Sequence, residues 1–245
     1  MDKDQIKKIK ETDKLLRKRF GLPERNDELP DPVDMLIATI LSQNTNDNNS
    51  YKAYKNLKEK YPDWESVRNA KRTSIESAIK VAGLGKQKSA AIKNFLEDLF
   101  ESKGELSLGH LSDSKNLDAI SELSSYKGVG VKTASCVLLF AMGRNVCPVD
   151  THVHRTVNRI GIVEAKTPDK TFLKLNENFP AEIAHSFHTN LIRLGREICK
   201  PKNPSCGICP LKDICQYEFK DVQIKKTYKA NNFMLLDNVK KKYKD

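Results

Sequence analysis

KGVGVKTASCV, residues 127–137, sets two glycines around a single valine and follows them with an unbroken helix-forming run. Gly128 and Gly130 let the backbone take conformations closed to other residues and approach a partner closely. The run from Val131 reads as a helix, and the unpaired amides and positive dipole end at its start attract a phosphate without reading base sequence. By themselves the glycines favour a tight turn between helices, with Val129 filling the core.

Lys132 changes that weighing. A cation in the first turn of a helix opposes the macrodipole, so it does nothing for local stability, and the same field favours the neutral amine. A partly neutral lysine is a competent nucleophile toward an electrophilic carbon. Further on, PVDTHVHRTVNRI (148–160) places Asp150 before a helix whose apolar face is Val153, Val157 and Ile160. Asp150 is a natural N-cap, and a carboxylate held at a helix start is kept ionised and fixed in direction.

Outward from this turn, apolar residues recur at helical spacing and no half-buried strand pattern is found, so the chain reads as all-α. Ile6, Ile9, Asp13, Leu16 and Phe20 form a stripe closed by Gly21, Leu22 and Pro23. Asp31 caps a second helix with Pro32 at its first position; it runs through Met35, Leu36, Ala38 and Leu41, apolar on most sides and hence buried. SQNTNDNNS (42–50) has no periodicity and is expected on the surface, leading into an amphipathic segment through Tyr51, Tyr54 and Leu57. More helices are expected over 73–82, 89–100, 116–124, 131–142, 152–160, 170–179 and 181–198. AGLGKQKSAAI (82–92) looks like a second copy of the glycine turn: either an internal duplication or two helices that each need a glycine before the first turn.

A chain of 245 residues with a formal charge of +11 buries a core without help from metal or disulfides, and a polyanion suits it better than a small acidic metabolite. A solvated lysine-rich surface explains the charge equally well. No long apolar run is present, and the start, MDKDQIKKIK, mixes both signs where a signal peptide needs a hydrophobic stretch, so a cytoplasmic protein is expected, with no membrane partner. Four of the six cysteines, Cys199, Cys206, Cys209 and Cys215, crowd together six, two and five residues apart. In a reducing compartment that clustering points to a metal site, zinc or iron–sulfur. Cys136 and Cys147 stand apart and read as small core residues.

LSQNTND from Leu41, KGVGVKTA, VDTHV from Val149 and the cysteine spacing together resemble the endonuclease III family of helix-hairpin-helix DNA glycosylases, over nearly all of 1–215. The resemblance implies a six-helix domain over 25–144, a second helical domain from 1–24 and 145–216, and a Lys-rich extension over 217–245. It implies a [4Fe–4S] cluster on the four cysteines, Lys132 as nucleophile and Asp150 as the assisting carboxylate. It also implies duplex DNA carrying a damaged base or abasic site as partner, bound by a nucleoid-associated monomer. The expected reaction is removal of damaged, oxidised pyrimidines followed by β-elimination. The rivals are a thymine or uracil mismatch glycosylase with weak lyase activity, or a non-catalytic DNA-binding protein.

DNA contacts are expected from Gln43, Asn44, Lys127, Gly128, Val129, Gly130 and Thr133, with His152 a weaker candidate. The sequence departs from the family twice. Lys127 stands where proline is usual before the turn, either as a phosphate contact or as a second amine near the nucleophile. Asn44 stands where a glutamine often fills the gap left by the flipped base, with Gln43 one residue earlier; either side chain could enter the duplex.

Overall fold

The computed structural model describes residues 3–25, 28–223 and 226, and these residues form helices and turns without strands. α1 (Lys3–Phe20) follows the expected stripe, with Ile9 and Leu16 fully buried, and Gly21 ends it at φ +83° with its amide on the Arg17 carbonyl. α2 (Pro32–Ser42) begins as its sequence dictates: Pro32 is at the first turn and the Asp31 carboxylate accepts from the amides of Val33 and Asp34. All eight residues from Val33 to Leu41, Asp34 apart, are buried, as an all-round apolar helix requires.

The polar stretch 42–50 is half helix, against expectation. α3 (Asp47–Lys60) starts inside it, because Asn46 accepts from the Asn49 amide and Ser50, fully buried, returns its hydroxyl to the carbonyls of Asn46 and Asp47. Such caps leave no trace in hydrophobic periodicity. α4 (Trp64–Asn69), capped by Asp63, is too short for its period to be read. Then come α5 (Arg72–Ile79), a 3-10 turn over Lys80–Ala82, and α6 (Gly85–Lys103). α6 begins four residues earlier than expected, since the left-handed Leu84 serves as its N-cap. α7 (Asn116–Ser125) and α8 (Val131–Phe140) follow, then α9 (Thr151–Ile160), α10 (Pro168–Asn176) and α11 (Ala184–Glu197).

Among the described residues, Arg25–Arg144 form one compact unit and 3–24 with 145–226 another. In the first, α2 is the hub, packed by α3, α6 and α8; six helices of eight or more residues are joined by the short α4. In the second, α11 lies against α1 and α9. Asp13, the one polar member of the α1 stripe, is buried there, paired with Arg17 Nε at 2.7 Å and accepting from Ser186 Oγ of α11 at 2.7 Å. Cys136 and Cys147 are fully buried, one in each unit. Among the described residues no helix is long and apolar enough to cross a membrane.

Candidate functional site

In the 25–144 unit the glycine turn joins α7 to α8. Gly128 takes φ +91°, and a Cβ there would stand 2.7 Å from the Cβ of Ala91 on α6, so only glycine allows both the backbone and the approach. Val129 is buried with its amide on the Tyr126 carbonyl, and Tyr126 sits edge-on to Phe95 at 5.1 Å. Gly130 is different: it is extended, caps α8 without a side chain, and has nothing within 4 Å of where a Cβ would be. The backbone therefore leaves open space at the amide end of α8. Lys132 is half-buried in the first turn of α8, one residue before the buried Thr133.

Gln43 ends α2, and its Nε2 donates to the Gly128 carbonyl at 3.3 Å and to Thr133 Oγ1 at 3.4 Å. Asn44 follows in the left-handed region at φ 51°. The structure thus brings Gln43, the glycine turn and Thr133 together in one unit. Gln43 is engaged with the turn, and Asn44 occupies a backbone conformation in which asparagine is common.

Asp150 and His152 lie in the other unit. Asp150 Oδ1 accepts from the Val153 amide at 2.8 Å, the N-cap expected from sequence. The strand of chain leading to it is fastened by residues that no local pattern revealed. Asn176 at the end of α10 bonds both backbone groups of Cys147, and the buried His188 of α11 meets the Pro148 carbonyl at 2.9 Å. His152 packs so closely on α11 that a Cβ on Gly195 would come within 2.8 Å of its ring, and burial lowers its pKa. Its Nδ1 lies 3.2 Å from the Arg155 guanidinium.

Cys199, Cys206, Cys209 and Cys215 line one small pocket together with Arg159 and Tyr217. Burial pushes the Cys209 thiol up to about 12 and the Cys206 thiol upward as well. Neither ionises unaided at neutral pH, whereas metal ligation deprotonates a thiol outright. Four cysteines lining one pocket form a ligand set that suits an iron–sulfur cluster. Arg159 of α9 is the support: its guanidinium donates to the carbonyls of Lys200 (2.7 Å) and Pro201 (2.9 Å), lies 3.4 Å from Cys199 Sγ and stacks on Tyr217. Past the motif, Lys220 donates to the carbonyls of Lys212 and Cys215, so the extension begins joined to the cysteine loop. Residues 224, 225 and 227–245 of that extension lie outside the described residues.

Comparison with known proteins agrees with this geometry. Residues 37–181 match the HhH-GPD superfamily of base excision DNA repair proteins, and 199–215 match the iron–sulfur binding domain of endonuclease III. Endonuclease III of Thermotoga maritima is 37% identical over 209 residues, covering 85% of this chain and 92% of that protein. The Haemophilus influenzae endonuclease III is 33% identical, covering 88% and 99%. A solved non-covalent endonuclease III–DNA complex superposes with a TM-score of 0.70 at 30% identity, over 86% of this chain and 94% of the other. A thermostable thymine-DNA glycosylase shares the fold, with a TM-score of 0.66 at 22% identity over 86% and 96%.

Proposed function

We propose, because this chain belongs to the endonuclease III family within the HhH-GPD superfamily of base excision DNA repair proteins, that Lys132 and Asp150 are its catalytic pair and damaged pyrimidines its substrates. The protein is a DNA glycosylase and abasic-site lyase of base excision repair and carries a [4Fe–4S] cluster. It acts as a monomer on duplex DNA carrying a damaged base or an abasic site. The observation that carries the residue assignment is Lys132 itself: a half-buried amine in the first turn of α8, directly behind a glycine turn with open space at its helix end.

The chemistry runs through this chain's own groups. Gly128 to Gly130 seat a backbone phosphate, and the target nucleotide is flipped out of the stack. The Lys132 amine bonds to the sugar's anomeric carbon as the glycosidic bond breaks, and the base leaves with its electron pair and takes up a proton. The Asp150 carboxylate, held in direction by the Val153 amide, stabilises the cationic sugar. Opening of the sugar ring gives a Schiff base on Lys132. The iminium acidifies the neighbouring carbon, loss of that proton expels the 3′ phosphate by β-elimination, and water frees the lysine. Cys199, Cys206, Cys209 and Cys215 hold the cluster, which supplies a covalent clamp on a loop whose one regular element is the 3-10 turn Cys206–Ile208.

Borohydride trapping on a duplex with an abasic site tests the nucleophile. Wild type gives a covalent adduct and Lys132→Ala gives none; an adduct surviving in the variant moves the nucleophile elsewhere, with Lys127 first in line. Asp150→Asn keeps an N-cap of similar quality, so the fold is retained while base removal falls by about 10²–10³. The substrate class is read from a panel of duplexes. Preference for thymine or uracil mismatches over oxidised pyrimidines overturns it.

A further inference from the structure

Lys88 is 2% exposed, and among the described residues no carboxylate pairs with its amine. Its Nζ donates to the Leu41 carbonyl at 2.8 Å and to the Ala82 carbonyl at 2.9 Å. The first is one of the unpaired carbonyls at the end of α2, where a cation is favoured by the helix dipole. The second closes the 3-10 turn before the first glycine turn. Within three residues of each carbonyl the backbone turns left-handed, at Asn44 (φ 51°) and at Gly83 and Leu84 (φ 69° and 52°). Asparagine is common in such a conformation, but leucine holds one only where its surroundings enforce it.

The two glycine turns make the placement pointed. When AGLGKQKSAAI is laid on KGVGVKTASCV, Lys88 falls on Thr133. Thr133 also addresses the end of α2, through Gln43 Nε2 at 3.4 Å. Both turns are therefore tied to the same helix end by side chains at matching places. Helix α6 joins them as well, since Ala91, on the same face one turn beyond Lys88, receives Gly128.

We propose that Lys88 is a positioning residue that holds the end of α2 and the first glycine turn in one DNA-binding edge with the second turn. Lys88 is buried and touches no nucleic acid; it acts through Gln43, Asn44 and residues 83–85. The inference rests on the proposed function in taking Gln43, Asn44 and the second turn as DNA contacts. Its effect belongs to binding, leaving the Lys132 step nearly untouched once DNA is seated.

The test uses the full-length holoprotein and a duplex with an uncleavable tetrahydrofuran abasic analogue, with affinity read by fluorescence anisotropy. Lys88→Met is expected to weaken binding about tenfold while borohydride trapping on saturating abasic duplex stays within about threefold of wild type. Combined with Gln43→Ala, it is expected to cost clearly less than it costs alone, because the two residues share one partner segment. Lys88→Gln, which keeps one donor group, falls between and carries the same readings if the methionine variant does not fold by circular dichroism. Wild-type affinity in folded variants, full additivity with Gln43→Ala, or equal loss of binding and of trapping at saturation overturns the inference. A wild type that forms no Lys132 adduct overturns the proposed function alone; one that does not bind the duplex overturns both.

Discussion

Gly128 and Gly130 share a letter and differ in every constraint. At Gly128 a methyl group meets both a positive φ and Ala91, so Gly128→Ala is expected to lower the melting temperature, with a cost of about 1–3 kcal/mol. At Gly130 an alanine fits the backbone and finds open space, so Gly130→Ala is expected to melt at or slightly above wild type yet bind abasic duplex less tightly, because a phosphate must approach that position. Equal affinity of Gly130→Ala and wild type would count against a phosphate seat at this turn. Lys88 makes a pH statement. Burial lowers its pKa to about 8, below the unfolded value of 10.5, so the unfolded chain binds the extra proton across that interval. Stability contributed by this site is level below pH 8 and rises toward 10.5. Between pH 7.5 and 9.5 the melting temperature of wild type is expected to gain relative to Lys88→Met, by a difference on the order of 1–2 kcal/mol; parallel pH curves would refute it. Lys88 was illegible as a site because one lysine among many has no local mark, and the nearest signal, its match to Thr133 in the twin turn, acquires meaning only once both ends meet α2.

At the scale of elements, starts and stops were readable wherever a cap lay next to an apolar run. Asp31 with Pro32, Asp150, and Gly21 after Phe20 each mark a terminus by chemistry that acts within four residues. The start of α3 escaped because its cap, Asn46, lies amid polar neighbours, and α4 escaped because its six residues are too few to show a period. The standing of α9 as a support could not be read from its own stripe. Its outer residues Arg155 and Arg159 reach the backbone of the cysteine loop, Arg155 Nε donating to the Cys199 carbonyl at 3.0 Å. Just past the helix, Gly161 leaves room for Gln216, whose amide oxygen would stand where a Cβ goes. Arg159→Met keeps the stem and removes four donor contacts, to Cys199 Sγ, the Lys200 and Pro201 carbonyls and the Tyr217 hydroxyl, and the stacking on Tyr217. The purified variant is expected to lose its visible cluster absorbance in air several-fold faster than wild type, with α-helical circular dichroism initially unchanged; an equal bleaching rate would show that Arg159 does not hold the loop.

For the whole molecule, a charge of +11 now has a partner, since the chain belongs to a family of DNA repair proteins. Each phosphate neutralised releases counterions, so the logarithm of affinity is expected to fall linearly with that of salt, by about 0.9 per phosphate. Lys127→Ala should reduce that slope by about one and leave the Lys132 adduct intact; an unchanged slope would make Lys127 a solvated charge, and a lost adduct would make it part of the chemistry. By itself the sequence determined the all-helical class, the caps at Asp31 and Asp150, the four cysteines as a metal site, and Lys132 and Asp150 as candidates, because hydrophobic period, capping and ligand spacing are properties of neighbours along the chain; iron–sulfur in place of zinc came from the family resemblance. Tertiary structure alone decided that Gln43 bonds the glycine turn, that Gly128 and not Gly130 is sterically required, that Asn176 and His188 brace the approach to Asp150, and that Lys88 is buried between two carbonyls. Apart from the bond of Lys88 to Ala82, six positions away, each of those contacts joins residues from 29 to 85 positions apart, and no local window along the sequence contains both partners.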